Sequence, residues 1–526
     1  MNRDGNTYDA IVIGAGHNGL VAAARLARAG RRVLVLEAGE AAGGAAATSE
    51  IVPGYAAPAV AHLVDAFPKR IERELKLPKQ GLRYAARDIP TVALDPDGDH
   101  LLLPRNRREF KRFASRLPRD AEAYRNYVAL LRAQAALIEP LLGETPPDLH
   151  DAGALRRFFR RLVLRSALSG RAGLQSLMRN LPESIGDRLD AEFESPLLKG
   201  ALAFDATLGG AEGPYAPGTS FRAVWREALR MQGQGLRQIA GGPGALVQAL
   251  AAIVSAGGGE LRVNSPAARI FVENGAAAGV ELADGRVLRA PLMLSAINPR
   301  ITLLELLGAN RVETHEALEL SRAPRHGTTA KLNLALERMP IFTGLAAEHH
   351  GARLLIAPSL DEVEEAAASY HENRLTSAPL LELHLPSLAD PSLAPEGQHI
   401  LSVIVHYTPY EAEGGWPMQR ESFVQKVVRR IAAFAPGVEE AMIAGEILTP
   451  PDIERKYGLA GGDWHQGDLR LDHLFAFRPS PVFGRYETPV AGLYLCGAGS
   501  HPGGGVTGLP GWIAAGVAME NGEGAR

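Results

Sequence analysis

The chain has 526 residues, of which 46% are apolar and 22% are charged, and its formal net charge is −3. A chain of this length exceeds what one simple hydrophobic core holds, so two or more domains are expected. The weak net charge gives no global basic field, and nucleic acid is therefore not an expected partner. Cys496 is the single cysteine, which excludes a disulfide framework and a CxxC redox pair.

The chain also lacks the patterns of an exported or membrane-spanning protein. Its first apolar run is too short for a signal peptide, and no stretch approaches the roughly 20 apolar residues that span a bilayer. We expect a cytoplasmic protein, either soluble or peripherally membrane-associated. The fifteen histidines show no metal-ligand spacing, so no metal site is expected.

The first predicted elements form a strand–turn–helix unit at residues 8–19, YDAIVIGAGHNG. The apolar run 11–13 predicts a strand buried on both faces of a parallel sheet. Three glycines follow at GxGxxG spacing, which suits a tight turn, a close phosphate and a closely packed helix, in that order. The loop consists of Gly14, Ala15, Gly16, His17, Asn18 and Gly19. It predicts a phosphate site at a helix N-terminus, where free N–H groups favour anions.

A second strand completes this unit. The alanine-rich helix LVAAARLARAG leads into RRVLVLE, which ends at Glu37. A carboxylate about twenty residues after the glycine loop is placed to accept hydrogen bonds from ribose hydroxyls. Strand, loop, helix, strand and acid together predict a dinucleotide-binding site. Within it, His17 is expected to make local hydrogen bonds beside the cofactor rather than to act as an acid or base.

A second glycine pair, Gly43 and Gly44, follows soon after the acidic strand end. The run GAGHNGLVAAARLARAG…VLVLEAGEAAGGAAATSEIVPGY resembles the start of phytoene desaturase-like FAD oxidoreductases, in the amine oxidase and carotenoid desaturase superfamily. It is most similar to the branch named for a pyridine nucleotide-disulphide oxidoreductase domain, although a chain without a cysteine pair cannot be a disulfide reductase. Many relatives carry arginine where this chain has Ala45, so that pyrophosphate contact is absent or supplied elsewhere.

The resemblance extends over essentially the whole chain and implies FAD as the cofactor. Residues 496–508, CGAGSHPGGGVTG, look like the family's carboxyl-terminal flavin signature, and no Gly-Lys-Ser/Thr follows as in a Walker loop. The two glycine-rich loops are therefore interpreted as two ends of one FAD site. Beyond the first loop, the resemblance implies FAD contacts from Glu37, Ala38, Gly43, Gly44, Ala45, Ala267, Gly497, Ala498, Gly504, Gly505 and Val506.

Residues 155–168, LRRFFRRLVLRSAL, predict a basic amphipathic helix. Phe158 and Phe159 lie on its apolar face, and arginines occupy the other. Such a helix is able to lie on an anionic membrane surface. The alternatives are a subunit interface and a surface helix whose apolar face packs on the protein while its arginines are solvated.

The rest of the chain returns twice to sheet-forming sequence. Residues 260–297 read as a hairpin meander with Asn-Gly and Asp-Gly turns, followed by a buried strand, PLMLSAI. Beyond residue 301, strand-like runs alternate with helices, including the amphipathic QRESFVQKVVRRIAAFAP.

The expected fold is α/β, with a discontinuous Rossmann-like FAD-binding domain into which a mixed-sheet and helical substrate domain is inserted. The expected parts are FAD-binding residues 1–75, substrate residues 76–235, FAD-binding residues 236–300, substrate residues 301–485 and FAD-binding residues 486–526.

Two residues are candidates for catalysis. Lys331 lies in the apolar strand TAKLNLAL, where a buried ammonium is costly unless it is paired or tuned. By analogy with amine-oxidase relatives, Lys331 holds a water or O2 near flavin N5; alternatively, it reaches solvent from a strand edge. His501 lies in the second glycine loop and has either a catalytic or a structural role. His465, in the segment YGLAGGDWHQGD, is a weaker candidate.

The resemblance implies a two-electron oxidation in which a substrate hydride passes to flavin N5. Desaturation of an apolar, isoprenoid-like molecule is the first interpretation. The alternatives are a flavin amine oxidase and an FAD-stabilised regulatory protein with little turnover. With one dinucleotide fingerprint in the chain, reoxidation by O2, a quinone or another acceptor is expected.

Overall fold

The computed structural model describes residues 8–168, 171–233, 235–323 and 327–524; the side chains of residues 162, 165–168, 171–174 and 523–524 lie outside this description. In chain order, the strands are β1 (Ala10–Ile13), β2 (Val33–Leu36), β3 (Thr48–Val52), β4 (Tyr55–Pro58), β5 (Tyr84–Ala86), β6 (Thr91–Ala93), β7 (Leu101–Leu102), β8 (Gln238–Ile239), β9 (Glu260–Arg262), β10 (Ala267–Glu273), β11 (Ala276–Leu282), β12 (Val287–Arg289), β13 (Met293–Ser295), β14 (Thr329–Leu336), β15 (Arg353–Ile356), β16 (Leu381–His384), β17 (His399–His406), β18 (Met442–Leu448) and β19 (Leu493–Leu495).

The α-helices of the same residues are α1 (His17–Arg28), α2 (Lys69–Glu74), α3 (Arg107–Arg116), α4 (Ala121–Leu142), α5 (Ala152–Leu168), α6 (Arg171–Asn180), α7 (Ile185–Glu192), α8 (Pro196–Thr207), α9 (Thr219–Gly233), α10 (Gly244–Ala256), α11 (Thr314–Arg322), α12 (Leu360–His371), α13 (Pro386–Ala389), α14 (Trp416–Ala432), α15 (Pro450–Tyr457) and α16 (Leu509–Gly524).

A five-stranded parallel sheet has the order β19-β13-β1-β2-β9. Its strands come from three distant stretches, residues 10–36, 260–295 and 493–495. The apolar run in β1 explains its central place, because its alternate side chains enter two different cores. Val12 packs with α1, α10 and α16 on one face, and Ile11 packs with the meander β10–β12 on the other.

The second sheet has seven strands in the order β18-β14-β17-β16-β15-β6-β7 and is mixed, because β15 and β6 are parallel. On one face, the alternate residues Leu332 and Leu334 of β14 pack against the apolar side of α14. The remaining alternate residues of β14 face the segment around β4, since Asn333 donates a 3.0 Å hydrogen bond to the Pro58 carbonyl oxygen. Lys331 lies on this second face.

Several sequence predictions are confirmed in this architecture. The meander turns at Asn274-Gly275 and Asp284-Gly285 lie between β10, β11 and β12. The amphipathic helix of the second sheet is α14, and PLMLSAI contains β13. The first helix begins at His17, inside the glycine loop, which is three residues earlier than the apolar pattern predicts.

Helix α5 forms where the basic amphipathic pattern predicts it, but its apolar residues have different environments. The Phe158 ring packs 5.3 Å from that of Phe475, whereas Phe159 is 57% exposed. Arg161 forms a 3.2 Å ion pair with Glu144. Membrane contact through residues 155–168 remains a prediction. In the described part of the chain, none of the helices has the length and apolarity needed to cross a bilayer.

The close packing of α1 against α16 gives a test of the fold. A Cβ atom at Gly511 would collide with the Asn18 carbonyl oxygen, so Gly511→Ala must separate the two helices. We expect it to lower the free energy of unfolding by about 1–3 kcal/mol, measured by urea unfolding. Gly522→Ala, on the same helix with no atom within 4 Å of the added methyl, is the matched control. Equal midpoints for the two variants would contradict the packing.

Candidate active site

The glycine loop after β1 folds as its spacing predicts. Gly14 has a φ of +94°, a left-handed conformation that favours glycine. A Cβ atom at Gly19 would collide with the Gly14 carbonyl oxygen, so the third glycine is required for α1 to pack on the turn. A Cβ atom at Gly16 would meet no protein atom within 4 Å, because Gly16 faces an open cleft at the N-terminus of α1. The loop therefore leaves its free space where a phosphate would lie.

The Glu37 carboxylate lies in the wall of the same cleft, beside the glycine loop. It accepts a 2.9 Å hydrogen bond from the Ala15 N–H on one oxygen and another from the Gly39 N–H on the other. Each carboxylate oxygen keeps a further lone pair for a ribose hydroxyl. The second glycine pair closes on the first loop, since the Gly43 N–H donates a 3.0 Å hydrogen bond to the Ala15 carbonyl oxygen.

Of the residues predicted up to position 267, Ala15 lies outside the lining of this nucleotide cleft, and its N–H and carbonyl oxygen bond Glu37 and Gly43. The walls of the cleft contain the other eleven: Gly14, Gly16, His17, Asn18, Gly19, Glu37, Ala38, Gly43, Gly44, Ala45 and Ala267. Among the described residues, its lining contains no arginine or lysine. No cation in the lining therefore replaces the arginine that many relatives carry at position 45. Backbone N–H groups and the α1 dipole are left to bind an anion.

The carboxyl-terminal loop reaches the same region. Ala498 lines the nucleotide cleft, and the His17 ring approaches the Gly505 carbonyl oxygen with Nε2 at 3.1 Å. Burial lowers the pKa of His17 to about 4, so its ring is neutral at pH 7. Gly497 and Gly504 have packing roles, because a Cβ atom would collide with the Ala296 carbonyl oxygen in the first case and with the His465 ring in the second.

A second cavity adjoins the nucleotide cleft, and the two share His17, Ala45 and Trp464. Gly505 and Val506 line it from the carboxyl-terminal loop. Further parts of its wall come from the second sheet, from α9 and from the segment 60–65, and Leu208, Leu236 and His465 complete it. We call it the inner cavity.

Lys331 belongs to a buried polar chain behind the inner cavity. It is 1% exposed and lies on β14, which is paired on both sides, so the alternative of a strand-edge lysine reaching solvent is wrong. Its Nζ lies 3.0 Å from Nδ1 of His62, whose Nε2 lies 2.8 Å from a Glu382 oxygen. His62 and Glu382 line the cavity, and Lys331 lies one hydrogen bond behind them.

Protonation follows from this geometry. Burial lowers the pKa of Lys331 to about 7 and that of His62 to about 3. Burial alone would raise the pKa of Glu382, but Arg353 and His62 outweigh it and hold the carboxyl ionised. A neutral His62 with its proton on Nε2 donates to Glu382 and accepts from Lys331 through Nδ1.

The two histidine candidates have different surroundings. His501 is fully buried; its Nε2 lies 3.1 Å from the Leu141 carbonyl oxygen, and its ring packs edge-on against Trp225 and Phe475. These contacts favour its structural alternative. His465 lines the inner cavity, where burial and nearby arginines hold its pKa well below the usual range.

Arg478 holds the segment of His465 against the carboxyl-terminal loop. Its buried guanidinium donates to the carbonyl oxygens of Asp468 at 2.8 Å, Gly467 at 3.1 Å and Ala498 at 3.0 Å. Burial lowers the pKa of Arg478 to about 10. Sequence reasoning missed this residue, and it also missed His62 and Glu382. A charged residue in the apolar strand LLELHLPSL was the available signal for Glu382.

Comparison with known proteins agrees with this geometry. Residues 19–518 match the family described as flavin containing amine oxidoreductase. The chain belongs to this family. It is 34% identical to the mouse (Mus musculus) pyridine nucleotide-disulfide oxidoreductase domain-containing protein 2, over 98% of this chain and 94% of the relative. It is 25% identical to a neurosporene-forming phytoene desaturase of Cereibacter sphaeroides, over 95% and 92% of the two chains.

A solved oxidoreductase from Methanosarcina mazei has the same fold, with a TM-score of 0.61 at 18% identity and with 97% of this chain and 99% of that chain covered. From the family match, the protein is an FAD-dependent oxidoreductase, and its α/β fold combines an FAD-binding fold with a substrate domain. The residues present suit the cofactor: Gly16 leaves the cradle open, the α1 N-terminus faces it, and the nucleotide cleft continues into the inner cavity.

The open space at Gly16 yields a prediction about cofactor binding. Gly16→Ala should fold normally, because its φ of −67° suits alanine and no protein atom lies near the added methyl. The methyl would instead occupy the phosphate cradle and weaken FAD binding roughly tenfold or more. FAD titration of apoprotein measures the affinity. Gly143→Ala, which also meets no atom within 4 Å, should leave the affinity unchanged. Wild-type FAD affinity in Gly16→Ala would exclude this cradle.

Proposed function

We propose that this FAD-dependent oxidoreductase is a desaturase, which removes two hydrogens across a carbon–carbon bond of a substrate with an apolar, isoprenoid-like body. The observation that carries the proposal is the wall of the inner cavity. Its aliphatic part consists of Val60, Ala61, Leu63, Leu208, Leu236, Ile404 and Val506. Trp464 is the sole Trp, Tyr or Phe among the described lining residues, whereas a small cage of aromatic rings would favour an amine.

When bound, the flavin supplies the two-electron oxidation, by accepting a hydride from the substrate. The chain binds its pyrophosphate through the loop around Gly16 and its ribose through Glu37. At the other end of the FAD site, the surface consists of backbone and side-chain atoms of Ala498, Gly505 and Val506. The aliphatic wall excludes water from the reacting carbons and orients the apolar body of the substrate.

Removal of two hydrogens also releases a proton, and the buried chain behind the inner cavity is suited to hold it. Glu382 and His62 line the cavity, and His62 contacts Glu382 through Nε2 and Lys331 through Nδ1, so these two residues connect the cavity to Lys331. With a pKa of about 7, the Lys331 amine accepts or returns a proton near neutral pH. O2, a quinone or another acceptor then receives the electrons, and the ammonium form of Lys331 favours negative charge that develops on oxygen.

The role of Lys331 is testable without the substrate. In photoreduced holoenzyme, the rate of reoxidation by O2 should fall as the pH rises through about 7, because the ammonium is lost. Lys331→Met should retain FAD, reoxidise roughly tenfold or more slowly at pH 6, and lose this pH dependence. Stopped-flow absorbance measures the rates. Lys426→Met removes a half-buried lysine of α14 as the control. Unchanged reoxidation in Lys331→Met would remove the residue from the mechanism.

Substrate oxidation itself is tested by anaerobic bleaching of the flavin absorbance. We expect bleaching by isoprenoid alkenes, tested with and without a terminal polar group, and none by benzylamine or alkyl diamines. Products should contain one additional carbon–carbon double bond, detected by mass loss of two hydrogens. Bleaching by the amines alone would identify an amine oxidase. If neither group reduced the flavin, the desaturase proposal would fail and the regulatory alternative would gain support.

A further inference from the structure

Three guanidinium groups lie where the inner cavity meets a larger neighbouring cavity. Arg226, Arg230 and Arg353 line both spaces. We call the larger space the outer cavity. Two of the three arginines come from α9 and the third from the first residue of β15, so a helix and the second sheet meet at this boundary.

Two of these arginines have carboxylate partners within the protein. Arg230 lies 3.0 Å from an Asp205 oxygen and 3.4 Å from an Asp65 oxygen. Arg353 donates hydrogen bonds of 2.7 Å to Asp205 and 2.7 Å to Glu382. The two arginines hold the pKa of the buried Asp205 well below its usual range, although burial alone would raise it. These two guanidinium groups are therefore neutralised locally.

Arg226 differs from its neighbours. Its Nη1 donates a 2.9 Å hydrogen bond to the Leu208 carbonyl oxygen, and among the described residues no carboxylate lies within ion-pair distance of it. Burial and the charge of Arg230 lower its pKa, and the more distant carboxylates of Asp205 and Asp65 oppose this shift without reversing it. The remaining N–H donors of its guanidinium are available to an acceptor within the cavities.

The three carboxylates of the cluster are all paired with the other two arginines. Arg226, Arg230 and Arg353 face Asp65, Asp205 and Glu382, so the charges balance while Lys331 is neutral, and Arg226 differs in pairing rather than in charge count. Each carboxylate already accepts from Arg230 or Arg353. A buried guanidinium is stabilised best by a carboxylate that accepts two of its N–H groups. A ligand carboxylate would give Arg226 this partner.

We propose that Arg226 binds a carboxylate of the substrate, so that the substrate is an amphipathic acid with an apolar isoprenoid or acyl body. The aliphatic side chains of Leu208 and Leu236 line the same cavity as Arg226 and suit the carbon chain beside the carboxylate. This inference rests on the proposed function and names the substrate class for the same site. It distinguishes the substrate from a pure hydrocarbon and from a cationic amine.

The first test is a binding measurement on oxidised, FAD-loaded wild-type protein, which requires no turnover. Isothermal titration compares farnesoic acid with its methyl ester, since the two share the carbon chain and differ in charge. The acid should bind roughly 10- to 100-fold more tightly, as a charge-assisted hydrogen-bonded pair predicts. Equal affinities, or no binding of the acid at millimolar concentration, would overturn the proposal.

Variants locate the effect. In Arg226→Gln, the acid should lose its advantage over the ester, while Arg226→Lys should keep part of it. The matched control is Arg132→Gln, which removes a charge from the outer cavity wall at a residue 61% exposed and 3.6 Å from Glu227. If Arg132→Gln weakened acid binding as much as Arg226→Gln, a general field rather than Arg226 would be responsible. If Arg226→Gln did not fold, the acid–ester comparison in the wild type and in Arg226→Lys would still decide whether Arg226 binds the carboxylate.

Failure of this inference is distinguishable from failure of the proposed function. If neutral isoprenoids bleached the flavin anaerobically as fast as the acids, desaturation would stand and the carboxylate site would fall. If the acid bound through Arg226 but neither acids nor neutral isoprenoids reduced the flavin, the anion site would stand and desaturation would fall.

Discussion

The site depends on one topological constraint, the pairing of β13 with β1 and of β19 with β13 in a single parallel sheet. Because all five strands run in the same direction, the loops after β1 and β19 leave at the same edge, although 483 positions separate Gly14 from Gly497 in numbering. The hydrogen-bond contact of His17 with Gly505 joins the two loops directly. The packing of α16 on α1, which only glycine at position 511 permits, holds the two chain ends together.

The nucleotide cleft and the inner cavity both follow from this junction. One loop contributes the phosphate cradle, and the other contributes the boundary between the two spaces. Arg478 extends the junction, because it ties the carbonyl oxygens of residues 467 and 468 to that of Ala498. The cleft has neutral walls apart from Glu37, so binding of the pyrophosphate relies on oriented backbone N–H groups rather than on a side-chain cation.

The buried charged groups beside the inner cavity are stabilised by a continuous chain of hydrogen bonds and ion pairs. From Lys331 the chain of contacts runs through His62, Glu382 and Arg353 to Asp205, and each carboxylate in it has a cationic or hydrogen-bonding partner. Such a network costs desolvation and is stable only when its members satisfy one another. Its members are distributed over α8, the segment 60–65 and the second sheet, so the site is a product of the contact between these parts of the chain.

The sequence by itself determined the cofactor and the nucleotide half of the fold. The two glycine motifs, the apolar strands and Glu37 act through local backbone geometry. Short motifs were therefore sufficient to predict the dinucleotide site, and the family resemblance of the same motifs implied FAD. The domain limits proposed from the sequence remain predictions. For Lys331, the apolar strand indicated an unusual buried lysine, but the pattern left open what lay opposite it.

Only the tertiary structure decided the substrate half. His62, Glu382, Asp205, Arg226 and Arg353 come from separate segments with no common motif, and their proximity results from packing of α8, α9 and the segment 60–65 on the second sheet. The same is true of His501, whose loop suggested a place in the active site while its side chain packs against α4 and α9. Long-range packing determines which charged side chains meet, and a linear pattern carries no record of contacts such as that between His62 and Lys331, which are 269 positions apart.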